Sequence, residues 1–215
     1  MIPIISFVGR HNCGKTTVLE KVIPVLKEKG YKLAIIKHHK GDVEFDVPGK
    51  DTWRLAEAGS DVVVISTPQK TAIVRTPEKE LTLDQIKEMV SDGMDIVISE
   101  GYKFDNKPKI EVFRSEVSDK ILSPEKDLVA LVTDRKFDID VPQFAFDDAE
   151  GIADFIIERF INTDACPEVS LAVNGEPIML KPFIQDMFIN SVSGLVAALH
   201  GTENAKEIKI TVRLP

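Results

Sequence analysis

Ile4-Ile5-Ser6-Phe7-Val8-Gly9-Arg10-His11-Asn12-Cys13-Gly14-Lys15-Thr16 is the stretch on which the fold turns. Ile4 to Val8 is a short apolar run rich in Ile, bounded by glycine, and reads as a buried strand. From Lys15 onward Val18, Val22, Val25 and Leu26 keep a one-sided spacing, so residues 15–29 read as a helix that Gly30 stops. Pro24 lies inside that pattern and predicts a kink or packed bend. Between strand and helix, Gly9 to Thr16 matches G-x-x-x-x-G-K-[ST] at every fixed position. The spacing has a physical reason. Gly9 and Gly14 let the backbone curl so that its N–H groups converge on an anion. The helix start aims its positive dipole end at the same place. Lys15 then reaches the β- and γ-phosphates of a nucleotide, and the Thr16 hydroxyl ligates Mg²⁺. Cys13 reads as a small residue filling the variable part of the loop, with a thiolate stabilised by helix-end N–H groups as the alternative. His11 is within reach of the γ-phosphate, though a solvated loop histidine is the commoner reading.

Working outward, the same alternation continues. Residues 33–37, 62–66, 95–99 and 128–133 read as further buried strands, and 51–58, 83–91 and 147–161 as helices. Residues 71–75 and 110–114 alternate apolar with polar and read as hairpin or edge strands. The expected fold is α/β: a P-loop NTPase with a mainly parallel sheet flanked by helices. Residues 162–167, a run of turn-formers, read as a linker. Beyond it Asn174-Gly175 between two apolar runs signals a hairpin, 183–199 a helix, and 207–214 a strand with alternating Ile208, Ile210, Val212 and Leu214. The expected division is a nucleotide-binding domain over 1–162 and a small ββαβ module over 163–215.

The ends of the other strands supply further candidates. A Mg–nucleotide site needs a carboxylate beside the phosphate loop. Asp95 precedes its apolar run and Glu100 follows it, on the edge where such sheets bind ligands, so Glu100 is the choice. Lys37-His38-His39-Lys40 forms a basic lip. Adjacent strand residues face opposite ways, which argues against a zinc site there. Residues 41–46, with Asp42 and Asp46, suit a switch-like loop, an ordinary solvated loop being the alternative. Asp134 ends another strand, and a carboxylate can accept from both N1–H and the 2-amino group of guanine, so it is the candidate guanine reader. Trp53 reads as a core or interface anchor.

The chain has 215 residues, enough for one α/β domain with an appendage, and is 43% hydrophobic and 29% charged, which excludes wholesale disorder. A net charge of −8 argues against non-specific duplex binding and so against nucleic acid as partner. No apolar run reaches the length of a membrane helix, and the first residues lack the features of a signal peptide. Two cysteines make no disulfide framework, so a reducing cytoplasm is the expected setting.

Taken in order, the phosphate loop, Ile36-Lys37-His38-His39, Asp46-Val47-Pro48-Gly49-Lys50-Asp51-Thr52, Ala58-Gly59, Glu100-Gly101-Tyr102-Lys103, Lys109-Ile110-Glu111-Val112-Phe113-Arg114 and Thr133-Asp134 resemble the molybdopterin-guanine dinucleotide biosynthesis adapter protein B family. The resemblance runs from the first residue to about Phe160; Tyr102 replaces a usual Phe, and the tail lies beyond the shorter members. It implies a dimeric GTP-binding protein with at most weak GTP hydrolysis. In that family the protein assists molybdopterin guanylyltransferase, and other molybdenum cofactor maturation proteins are further partners. It further implies that Gly9, Arg10, His11, Asn12, Cys13, Gly14, Lys15, Thr16 and Thr17 bind phosphates and that Thr16 and Glu100 serve Mg²⁺. Asp46, Lys50 and Asp51 then lie near the nucleotide or the dimer cleft. Lys15, with the metal, carries whatever hydrolysis occurs. No residue stands out to orient the attacking water or to act as an arginine finger, Arg10 being the one candidate for the latter. Two rival readings are a small-molecule kinase and a metal-delivery GTPase; the first lacks an arginine-rich lid and the second lacks His and Cys clusters.

Overall fold

The computed structural model describes residues 2–41, 43, 46–162, 169, 171–174, 176–202, 205 and 208–213. Asp42 of the switch-like segment and residues 163–167 of the linker lie outside them. The chain divides into two compact units, Ile2–Ile161 and Asn162–Pro215.

In the first unit six strands form one sheet: β1 Ile4–Val8, β2 Leu33–Lys37, β5 Ile96–Glu100, β6 Lys109–Phe113, β7 Leu128–Thr133 and β8 Gln143–Phe144. Their order is β2-β5-β1-β6-β7-β8, and every pairing is parallel. All carboxyl ends therefore share one edge, and β1, flanked on both sides, delivers its loop to the middle of it. Residues of β1 alternate between two cores. Ile5 and Phe7 face helix α1 (Lys15–Glu28) and helix α4 (Ala149–Ile156), while Ile4 joins Ile36, Val97 and Leu83 of helix α3 (Leu83–Val90). Four residues of α1, Val18, Leu19, Val22 and Leu26, are buried. At about 1.5–3 kcal/mol for each such side chain, they fix the helix on the sheet, and with it the start of the helix at the loop. Pro24 sits within α1 and donates no bond to the preceding turn. Helix α4 continues into a π-helical turn, Ile157–Ile161, completing the helical stretch expected over 147–161.

Three expectations need correction. Residues 62–66 are not a buried strand of the main sheet. They form β3 (Val62–Ser66), which pairs only with β4 (Thr71–Arg75) in an antiparallel hairpin, with Ser66 opposite Thr71. The turn between them is too short for the crossover a parallel partner requires; Thr67 closes it, its N–H donating to Lys70 O at 2.8 Å. Helix α2 (Asp51–Glu57) lies against β3, carrying a half-buried Trp53.

Conversely, residues 110–114 are no hairpin or edge strand, since β6 is central and buried along its length. Its alternation misleads because Lys109 and Glu111, each 1% exposed, are polar core residues with full partners. Lys109 Nζ donates to Asp105 O and Lys107 O and pairs with Asp127 at 3.1 Å. Glu111 accepts from the N–H groups of Leu122 and Ser123. Buried polar groups are tolerable when satisfied in this way.

In the second unit β9 (Leu171–Val173) and β10 (Glu176–Ile178) make the expected hairpin, with Asn174 at φ 53° in the turn. Helix α5 (Pro182–Ala197) follows, started by its proline. The last expected strand is missing: residues 208–213 form no strand, so the described tail is ββα rather than ββαβ. An alternating pattern becomes a strand only where a sheet edge takes up its ladder bonds. Here Ile210 and Val212 stand exposed.

Candidate functional site

The loop after β1 owes its shape to three residues in the left-handed region: Gly9 at φ 146°, Asn12 at φ 61° and Gly14 at φ 96°. Gly9 has no alternative. A Cβ there would run into the Val112 carbonyl of β6 and lie 2.7 Å from Cys13 Sγ. Gly14 caps α1, which begins with no side-chain cap and no acidic residue in its first turn. The positive end of the helix thus faces the loop without a counter-charge of its own.

Lys15 bends back across the loop, donating to Arg10 O at 2.7 Å and Gly9 O at 3.4 Å. The Thr16 hydroxyl donates to both oxygens of Glu100, at 2.9 and 3.0 Å. Glu100 ends β5, next to β1 in the sheet, and its side chain is only 12% exposed. Lys37, opposite Glu100 at the end of β2, holds the same carboxylate at 3.5 Å. Loop, hydroxyl, carboxylate and a second ammonium therefore meet at one place. Asp95, the alternative carboxylate, accepts from Lys32 N at the other end of the strand.

Cys13 is buried under the loop, with Lys15 Nζ donating to its Sγ at 3.7 Å. Its side chain is 1% exposed in the core, and burial raises its thiol pKa despite the nearby Lys15. Its structure is that of a neutral packing residue. His11, Asn12 and Thr17 are exposed on the loop and first helical turn. Arg10 is turned to Ser118, donating to its hydroxyl at 3.0 Å.

Asp134 follows β7 on the same edge. Its carboxylate accepts from the N–H and hydroxyl of Ser115 at 2.8–3.1 Å. Loss of water acts to raise its pKa, but the Ser115 bonds and the Arg114 charge outweigh this and hold it below its ordinary value. Asp46, Lys50 and Asp51 are not joined to this cluster. Among the described residues their bonds are local: Asp46 Oδ1 accepts from Val47 N, Lys50 N donates to Val47 O, and Asp51 lies 3.8 Å from Arg54.

The structure adds residues that the sequence reading did not place. Arg114, the residue after β6, lies over the Phe146 ring at 4.4 Å. A Cβ on Gly14 would stand 3.5 Å from both side chains, so they wall the loop on the side toward Asp134. No signal in the sequence marks Phe146, because the two-residue strand β8 before it is too short to show a pattern. On the opposite side His38 bonds Glu80 at 2.8 Å and stacks on Tyr102, centroids 4.5 Å apart.

Comparison with known proteins fits this geometry. The family model described as molybdopterin guanine dinucleotide synthesis protein B matches residues 4–134. The molybdopterin-guanine dinucleotide biosynthesis adapter protein of Escherichia coli K12 is 34% identical over 74% of this chain and 93% of its own length. A putative adapter protein of the same description from Methanocaldococcus jannaschii is 27% identical over 97% of each chain, and so extends along the tail. The crystal structure of a molybdopterin-guanine biosynthesis protein B superposes with a TM-score of 0.59 at 31% identity, covering 72% of this chain and 97% of that one.

Proposed function

The chain belongs to the molybdopterin guanine dinucleotide synthesis protein B family, and from that premise we propose that it is a GTP-binding adapter that assists attachment of GMP to molybdopterin. The observation that carries this reading is the meeting of Thr16 and Glu100, 2.9 Å apart, at the mouth of the phosphate loop. A hydroxyl and a carboxylate are hard oxygen donors and fit Mg²⁺, which prefers oxygen and keeps part of its water shell. Thr16 would hold the ion directly and Glu100 would hold its water. Mg²⁺ held there would neutralise part of the phosphates' negative charge. The protein's own part is positioning: the loop N–H groups and helix α1 receive the phosphates, and Lys15 moves from the loop carbonyls to the nucleotide's charge.

Slow hydrolysis fits the surroundings. Arg10 is engaged by Ser118, and Arg114 is held on Phe146. Each would have to leave that contact to act as the guanidinium that speeds phosphoryl transfer by about a thousandfold or more. Asp134, ionised and oriented by Ser115, is the proposed guanine reader. The partners are molybdopterin guanylyltransferase and a second copy of the chain. The exposed β3–β4 face, with Val64 and Ile73 at 54% and 61% exposure, supports the second copy. Asp46, Lys50 and Asp51, on the approach to α2 and its first turn, would lie at the cleft between copies.

Calorimetric titration with GTP and with ATP, each with Mg²⁺, tests the reading. GTP is expected to bind in preference, and Lys15→Ala to weaken it by about 10–150-fold, the worth of a charge-assisted contact. Equal binding of ATP removes the guanine claim, and no binding of either removes the nucleotide reading.

A further inference from the structure

Of the segment Glu100-Gly101-Tyr102-Lys103, only Glu100 has a task at the nucleotide, and the turn it opens displays an unusual residue. Phe104 is 84% exposed. It is not on a loose loop. Gly101 at φ 107° and Tyr102 at φ 51° turn the chain sharply off β5, and Gly101 N donates to Phe7 O of β1 at 3.0 Å. Tyr102 packs on His38, Asp105 N closes the turn onto Tyr102 O at 3.0 Å, and buried Lys109 holds Asp105 O. Both sides of Phe104 are therefore pinned, and the ring is held out into water.

Two cations accompany it. Lys103 Nζ lies 4.9 Å and Lys40 Nζ 5.5 Å from the ring centroid. Lys40 comes from the loop after β2 and Lys103 from the turn after β5, which the parallel pairing of those strands brings to one edge. Among the described residues neither ammonium has a carboxylate within ion-pair distance, although the chain carries a net charge of −8. A protruding, preorganised aromatic flanked by two ammonium groups is built like an interface anchor with a charged rim. Because the ring projects instead of lining a hollow, it fits into a socket on another molecule.

We propose that Phe104, with Lys40 and Lys103, is the docking surface for an acidic protein surface that carries an apolar socket. Under the adapter reading above, on which this rests, the guanylyltransferase supplies it. The surface adjoins the nucleotide: Glu100, bonded to Thr16, leads directly into the turn that presents Phe104.

The test measures binding of the full chain to purified molybdopterin guanylyltransferase, with GTP and Mg²⁺ present, at low and physiological salt. Phe104→Ala is expected to weaken binding about thirtyfold or more while leaving GTP affinity unchanged. Lys40→Glu with Lys103→Glu is expected to slow association and flatten its salt dependence. If wild type binds the transferase and Phe104→Ala binds it equally well, the docking surface is refuted and the adapter reading stands. If wild type does not bind the transferase, the adapter reading itself fails, and the assigned partner with it. If Phe104→Ala alters the mass of the protein alone in light scattering, a second copy covers the ring and the proposal is overturned.

Discussion

Ile4-Ile5-Ser6-Phe7-Val8 and Val62-Val63-Val64-Ile65-Ser66 are close to interchangeable as sequence, five residues of mostly branched apolar side chains. In the fold β1 is buried at every position, whereas β3 buries only Val63. Connectivity separates them. The loop and helix after β1 carry the chain across the sheet, so β1 acquires parallel neighbours on both edges and a helical layer on both faces. The tight turn after β3 returns the chain at once, so its partner is β4, and the pair forms a separate two-stranded sheet. The lesson is that an apolar strand-like run specifies a surface to be covered, while the covering comes from whatever the chain does next. In β1 it is the same chain, and in β3 the proposed cover is another copy.

Three experiments would break or sharpen this contrast. The largest effect belongs to the central sheet. Lys109→Met leaves Asp127, 13% exposed, without its buried cation, and is expected to cost about 3–5 kcal/mol in denaturant unfolding. A loss below about 1 kcal/mol would mean that the ion pair does not hold β6 in its central place. The hairpin should respond in the opposite sense. Val64→Asp with Ile73→Asp is expected to change the stability of the isolated chain by less than about 1 kcal/mol, as at exposed sites. The same change is expected to halve the particle mass in light scattering. An unchanged mass shows that the exposed apolar face is not the surface where copies meet, and a large loss of stability makes β3 a core strand after all.

The smallest effect is at the strand ends. Ser115→Ala removes one donor to Asp134, so the carboxyl pKa, held low in the folded protein, should rise toward its ordinary value in an NMR titration. Because the folded value is depressed, the stability Asp134 contributes is present above the unfolded pKa of about 3.9 and fades as pH falls through the folded value. The variant should show a smaller acid-induced loss. An unmoved titration would show that the Ser115 hydroxyl does not set the carboxylate's charge.

Much of the site was legible before the structure. The boundaries of β1, the loop and α1 follow from local rules: branched apolar residues, glycine, and a one-sided helical spacing. Glu100 follows from its place at the end of an apolar run on the ligand edge, and the structure puts it on Thr16. What was illegible depended on partners distant in sequence. Lys109 and Glu111 made β6 look like an edge because nothing local reveals that Asp127, Leu122 and Ser123 satisfy them. Residues 208–213 looked like a strand because alternation carries no information about an available edge. Arg114 and Phe146 were passed over because they meet at Gly14 only once β6 and β8 are in place.

Local sequence was enough to place the glycine loop between β1 and α1, the residues that curl it and the carboxylate at the end of β5, since these depend on φ preferences and periodicity within a few residues. The tertiary structure alone settled which apolar runs became core, and that Phe104 and not Tyr102 stands in water. Those outcomes are fixed by strand order, which pairs residues as far apart as Ser6 and Ser99, and by buried charges that meet outside any local pattern, as Lys109 and Asp127 do.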